Sequence, residues 1–302
     1  MSPSLDRYPA LRHIARRVDR LAHTAEPVVI TGEPGVGKTL IAREIHLRSA
    51  YRRRPLVIVN LGILAEREQR IELLGGEPPE TSSFRRGILE RPTTVVVKYP
   101  ECATMFVQDA FARALSAGRV TRLGGGRELP VAARPILTLA RTPARLLAEG
   151  RVSKSLYRLL ARCPTLHVPP LRQRPNDMPF LLKDLLSEHG HQPVRNADIR
   201  LLASALKAEE WRENVTELKA FVRSSLMMSS GDASSGEERR HLDRIIMMVE
   251  EGKEFSLRRV LGMIEISLVQ RALRKAGGSR ARAARLLGLS ERSVGRYLAK
   301  LL

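Results

Sequence analysis

Cysteine is nearly missing from this chain of 302 residues: there are two, Cys102 and Cys163. Two are too few for a disulfide framework, which excludes the small stapled scaffolds and fits a reducing compartment. Aromatic residues make up 4% of the chain, with a single tryptophan. That scarcity excludes a domain that stacks many bases on exposed rings, as single-strand binders do. No apolar run approaches the ~20 residues of a membrane span. The N-terminus MSPSLDRYPALRHIARR lacks the apolar core of a secretory signal. Acidic residues are also short, 32 Asp+Glu against 52 Lys+Arg, for a formal net charge of +20. Such a surplus points to a polyanionic partner, nucleic acid or a membrane surface. Hydrophobic residues at 43% suffice for a packed core and exclude a wholly disordered basic tail. The expectation is a soluble, cytoplasmic protein of about two domains.

Along the chain, residues 5–24 place Leu11, Ile14, Ala15, Val18 and Leu21 at helical spacing. Strands are predicted over Pro27–Thr31, Pro55–Asn60, Thr93–Val97 and Pro135–Ala140, with a helix over Met105–Ala117. Strands alternating with helices predict an α/β fold with a parallel sheet covered on both faces. From Asn176 to about Met228 the pattern is helical throughout. Ser229–Glu238 (SSGDASSGEE) is small and polar and reads as a linker. Residues 256–302 hold 11 Lys+Arg and 2 Asp+Glu and form a helical, basic end.

The stretch GEPGVGKT, Gly32–Thr39, fits G-x-x-x-x-G-K-[ST] between a predicted strand and a predicted helix. Gly32, Gly35 and Gly37 let the backbone of Glu33, Pro34 and Val36 wrap a phosphate at a helix N-terminus. Lys38 then reaches the β- and γ-phosphates, and the Thr39 hydroxyl reaches Mg²⁺. ATP or ADP is the expected ligand, with Mg²⁺ at Thr39 if a metal enters. Hydrolysis is a separate matter, needing acids for metal and water and a positive charge at the γ-phosphate.

In order and spacing, several segments resemble the bacterial enhancer-binding activators of sigma-54 RNA polymerase, the NtrC-like AAA+ family. They are GEPGVGKTLIAREIH, PLVIVN, IELLGG, ALSAGRVTRLGG, LLAEGR, VPPLRQRPNDMPFLL and WRENVTELKAFV. The resemblance implies a P-loop AAA+ core over 1–171, an α-helical lid over 172–228, a linker over 229–255 and an all-α Fis-type helix-turn-helix domain over 256–302. Within this sequence 26 residues precede the first predicted strand, so no receiver or ligand-sensing domain is expected ahead of the core.

The departures from the family pattern shape the functional expectation. Where the resemblance implies an Asp-Glu pair for Mg²⁺ and water, the chain has Lys98 and Tyr99. Glu101 follows three residues on from Lys98; it is read either as a displaced substitute for those acids or, after Pro100, as pointing away, the second being the expectation. The sensing Asn position is Ala140, the inter-subunit Arg position is Ser153, and the lid Arg position is Thr216. A second interface Arg falls on Arg158 or on Leu159. The family's GAFTGA segment, which contacts sigma-54, has no counterpart after ELLGG. Loss of an arginine finger alone costs about 10³–10⁵ in rate. The expectation is therefore no enzyme: a pseudo-ATPase that binds ATP without cutting it. Lys98 is read either as a solvated strand end or as a charge that stands in for Mg²⁺.

The C-terminal stretch EISLVQRALRKAGGSRARAARLLGLSERSVGRYLAKLL reads as three helices, with Ser279 capping Arg280–Leu287 and Ser290 capping the last. Its A-R-A-A-R-L-L-G-L-S core resembles the Fis-type end, whose third helix enters the major groove. Ser290, Glu291, Arg292, Ser293 and Arg296 are expected to face DNA, and Arg280, Arg282 and Lys300 to meet phosphates. The function expected is a sequence-specific regulator of transcription. Its partners are double-stranded DNA, copies of itself as a dimer or higher oligomer, and RNA polymerase or an intact paralogue, with no membrane. The alternatives are a working ATPase activator of sigma-54 transcription and a non-catalytic partner subunit of an intact paralogue.

Overall fold

The computed structural model describes residues 5–76, 85–188, 196–207, 209–229, 276–277 and 279–287. The chain divides into two compact units, Met1–Asp177 with Trp211–Thr216, and Met178–Glu210 with Glu217–Leu302.

The first unit is built on five parallel strands: β1 (Val28–Thr31), β2 (Leu56–Asn60), β5 (Thr94–Lys98), β8 (Arg134–Leu139) and β9 (Thr165–His167), in the spatial order β2-β5-β8-β1-β9. The central strands are buried almost end to end. That is why they read as continuous apolar runs such as VVIT and TVVVK and not as alternating patterns. Registers align Asn60 with Lys98, Lys98 with Thr138, and Thr31 with Leu139, so these strands end on one edge of the sheet. Two short antiparallel pairs flank it, β3 (Gly75–Gly76) with β4 (Arg85–Arg86), and β6 (Arg119–Thr121) with β7 (Glu128–Pro130).

The helices of this unit are α1 (Arg12–Ala22), α2 (Lys38–Leu47), α3 (Glu66–Leu74), α4 (Met105–Ala117), α5 (Pro143–Ala148) and α6 (Lys154–Arg162). Helix α4 has the predicted bounds because its ends are chemically marked. Thr104 accepts from the Val107 amide at its start, and Gly118, left-handed at φ 67, ends it. Its Phe111 is buried in a core shared with Val95, Val97, Leu137 and Leu160.

Arg134 opens β8 and is 2% exposed. Its guanidinium donates to the carbonyls of Ala22 (3.3 Å) and Leu21 (2.5 Å), satisfying the C-terminal end of α1 where a cation is favoured. Arg134→Met should cost about 2 kcal/mol, because it removes two charge-assisted bonds and leaves the Ala22 carbonyl without the guanidinium, while the Leu21 carbonyl keeps its bonds from Thr24. Urea unfolding monitored by circular dichroism checks this; an unchanged midpoint would show that the clamp contributes nothing.

The second unit contains α7 (Met178–Glu188), α8 (Asn196–Leu206), most of α9 (Asn214–Ser229) and the helix Arg280–Leu287. Helices α7 and α8 pack together, and Lys219 donates to Glu188 at 2.6 Å. Helix Arg280–Leu287 has the predicted bounds. The Ser279 hydroxyl accepts from the Arg282 amide, and Ala283 and Ala284 are buried. Arg280 and Arg282 are exposed. The remaining residues expected to meet DNA, Ser290 to Lys300, lie outside the described residues, as do the linker Ser229–Glu238 beyond Ser229 and the segment 77–84 after ELLGG. Among the described residues no helix is long and apolar enough to cross a membrane.

Candidate nucleotide site

The loop Gly32–Gly37 joins β1 to α2 and lies at the strand ends. Three of its residues need glycine. Gly35 (φ 76) and Gly37 (φ 104) sit in left-handed backbone. A Cβ on Gly35 would meet the Glu213 carbonyl oxygen at 2.0 Å, and one on Gly32 would meet the Val168 carbonyl oxygen at 2.7 Å. Gly37 is the N-cap of α2, so the loop delivers amide groups to the positive end of that helix.

Lys38 is 7% exposed and curls back over the loop, donating to the carbonyls of Gly32 (2.6 Å) and Glu33 (2.9 Å). Burial pushes its amine down to about 8, against the pull of Glu101 and Glu33. These carbonyls satisfy the ammonium until an anion enters the loop. Thr39, at the first turn of α2, is half-buried.

The outer side of the loop is held by residues that the motif does not contain. Arg172 grips the Glu33 carboxylate with two bonds, 2.6 and 2.8 Å, and this partner together with Asn214 keeps Glu33 below the usual carboxylate range. Buried Arg174 donates to the Val36 carbonyl at 2.7 Å. Asn214, fully buried at the start of α9, donates to Pro34 O (2.9 Å) and Glu33 Oε2 (3.2 Å) and accepts from the Leu171 amide (2.7 Å). The Val215 amide completes the contact on the Gly35 carbonyl at 3.1 Å. The segments LRQRPND and ENV, already singled out in the sequence, held this signal. What they lacked was any hint of their target.

The strand ends hold the altered positions. Lys98 is half-buried with its ammonium 5.6 Å from the centre of the Tyr99 ring. Tyr99 adopts a left-handed conformation at φ 57, rare for a bulky residue, and starts the single 3₁₀ turn Pro100–Cys102. That turn reverses the expected direction of Glu101. Its side chain points inward and is 5% exposed, and Oε1 accepts from the Ala140 amide at 3.0 Å. Burial raises its carboxyl above the usual range, opposed by the Ala140 amide, by its own backbone amide and by the charges of Arg151 and Lys38. Ser153 caps α6, its hydroxyl accepting from the Leu156 amide and its own amide donating to Gln108. Of the two interface candidates, Arg158 is exposed on α6 and Leu159 is buried in the core. Thr216 is exposed, and its hydroxyl stands 3.0 Å from where a Gly35 Cβ would lie. Among the described residues no group of three or more His, Cys, Asp or Glu is placed to hold a metal. A divalent ion here would therefore need oxygens from the nucleotide itself.

An α/β core with a built P-loop defines a P-loop nucleotide-binding protein. Residues 5–165 match the Sigma-54 interaction domain, and residues 260–301 match the bacterial regulatory protein, Fis family. The chain belongs to the sigma-54 activator family, joined to a Fis-type helix-turn-helix. It is 29% identical over 318 residues to the transcriptional regulatory protein XylR of Pseudomonas putida, covering 97% of this chain and 56% of that one. With the regulatory protein AtoC of Escherichia coli K12 it shares 28% over 301 residues, 95% of this chain and 65% of that one. The chain thus spans between about half and two thirds of the length of these relatives. Among solved structures, NtrX from Brucella abortus in complex with ATP superposes with a TM-score of 0.65 at 24% identity, over 97% of this chain and 68% of that one. That likeness is one of fold.

These findings overturn the expectation of a non-enzyme. The chain is a member of the activator family over residues 5–165, and the NtrX structure that superposes on it was solved in complex with ATP. The non-enzyme expectation rested on Lys98 and Tyr99 standing where acids are expected, and residue types at single positions do not decide activity for a chain that matches the family across residues 5–165. In the structure the turn at Pro100–Cys102 buries the Glu101 carboxylate against the Ala140 amide.

Proposed function

We propose that this protein is a DNA-binding regulator of transcription whose core binds ATP or ADP in the loop Gly32–Thr39. Lys38 swings from the loop carbonyls to the β- and γ-phosphates, and the Thr39 hydroxyl serves Mg²⁺ if the ion enters with the nucleotide. The nucleotide-binding core covers 1–171, the helical lid 172–228, the linker 229–255 and the DNA-binding end 256–302. On that end Ser290, Glu291, Arg292, Ser293 and Arg296 face DNA, and Arg280, Arg282 and Lys300 meet phosphates. Partners are double-stranded DNA, further copies of the chain, for which Arg158, exposed on α6, is the candidate contact, and sigma-54 RNA polymerase. The observation that carries this reading is the buried Lys38 ammonium, parked on two carbonyls inside a glycine loop at a helix N-terminus.

Calorimetric titration of the full chain with ATP, together with selection of duplex DNA from a random pool, tests the two halves. ATP should bind, and one duplex sequence should be enriched. On that duplex, Arg292→Ala should cost about 1–3 kcal/mol, and Arg282→Ala should weaken all duplexes alike and lower the salt slope by about 1. Absence of heat with ATP would sink the nucleotide half; an unenriched pool would sink the DNA half.

A further inference from the structure

We propose that Glu101 is the acid of the phosphate site and holds the divalent cation that arrives with the triphosphate, from a place three residues past the end of β5. The inference rests on the nucleotide reading above and deepens it.

Glu101 is 5% exposed, and its two oxygens differ in their surroundings. Oε1 accepts from the Ala140 amide at 3.0 Å, whereas Oε2 is buried without a hydrogen-bond partner. A buried acceptor left unmade is costly, and more so when charged, so an unpartnered carboxylate oxygen in a folded core requires a reason. Its position supplies one. Ala140 directly follows β8, whose last carbonyl, that of Leu139, accepts from the Gly32 amide at 3.3 Å. The Gly32 carbonyl in turn accepts from Lys38. The carboxylate is therefore fastened, through two backbone bonds, to the loop that wraps phosphate. The charges of Lys38 and Arg151 bear on it, and Lys38 is the residue assigned to the terminal phosphates. The left-handed Tyr99 that makes the turn is a strained conformation, which survives only where the surroundings impose it.

One carboxylate is enough for Mg²⁺. The ion takes one or two protein acids and completes its shell with substrate phosphates and water, unlike ions held in all-protein cages. That fits the lack of a three-residue metal cluster among the described residues. It also explains why Lys98 and Tyr99 at the strand end need not be acids.

The test is ATP affinity of the full chain, in Mg²⁺ and in EDTA, for the natural protein and for Glu101→Gln. The amide keeps the acceptor for Ala140 and removes only the charge. The natural protein should bind ATP about tenfold more tightly in Mg²⁺ than in EDTA, a difference of about 1.4 kcal/mol. In Glu101→Gln that advantage should disappear, while binding in EDTA is kept or strengthened because a negative charge facing the phosphates is gone. A variant that retains the tenfold advantage overturns the proposal and leaves Glu101 as a loop fastener. Equal affinity of the natural protein in both buffers also overturns it, and assigns the neutralising charge to Lys98. Failure of ATP to bind in either buffer removes the nucleotide reading itself, so the two failures are distinct. A second measurement needs no variant: Fe²⁺ replaces Mg²⁺ with ATP and ascorbate, and the oxidative cuts are mapped. Cuts at 100–102 and 139–141 are expected; cuts confined to the loop 32–39 would overturn the assignment.

Discussion

Lys38→Ala should lower ATP affinity by about 100-fold, or ~2.7 kcal/mol, the range found when one partner of a buried charged pair is truncated. The same residue gives the site its pH dependence. In the free protein burial holds the Lys38 amine at about 8, well below the ordinary lysine value of 10.5. Below that pH the ammonium is already formed, and ATP binds without taking up a proton. Above it the amine is neutral in the free protein, and the phosphates, which favour the charged form, must draw a proton in. Affinity should therefore fall as pH rises from 8 toward 9.5, by up to about tenfold per unit, until the amine of the complex also titrates. Calorimetry at pH 8.5 in two buffers of different ionisation heat reads the proton uptake directly. A flat affinity across that range, with no uptake, would show that Lys38 stays charged in the free loop.

Asn214→Ala should be the most damaging single change for the core outside its apolar centre, costing about 3–5 kcal/mol. Asn214 is fully buried and makes three bonds: it accepts from Leu171 and donates to Pro34 and Glu33. Alanine leaves the Leu171 amide buried without an acceptor and strips the outer support from the phosphate loop. It also places an ordinary residue at φ 54, where asparagine is tolerated and alanine is not. Asn214→Gly separates the contributions, since glycine accepts the backbone but makes no side-chain bond; it should recover about 1 kcal/mol of the loss. Urea unfolding of the three proteins measures the series. Equal midpoints for Ala and the natural residue would mean that the loop holds its own shape.

The two changes act on one object from opposite sides. Lys38 faces inward to the anion, and Asn214 with Arg172 and Arg174 braces the loop from outside. The glycines allow the loop's conformation, and the buried braces select it. This division explains why the sequence motif spans Gly32–Thr39 whereas the residues that shape it come from 171–174 and 213–215.

Local patterns carried much of the fold. Helix α4 has marks at both ends, β1 and β5 are runs rich in β-branched residues (VVIT and TVVVK), and Ser279 stands immediately before the helix it caps. Each depends on neighbours within a few residues, so the chain states it openly. The three-residue edge strand β9 was missed, because Thr165–His167 is too short to show a period and is held there by pairing with β1. Ser153 was read only as a lost arginine; its use as the cap of α6 required knowing where that helix begins.

Strand-and-helix order, the glycine loop with its lysine, and the basic helical end all follow from residue types at short spacing, and backbone sterics and hydrophobic burial translate such spacing the same way in any fold. The direction of the Glu101 carboxylate and the reach of Asn214 do not. One partner lies 39 residues away and the other 180, and which groups meet across those distances depends on how the sheet stacks its strand ends. That stacking is what sets the Glu101 carboxylate against the Ala140 amide and Asn214 against the loop Gly32–Gly37.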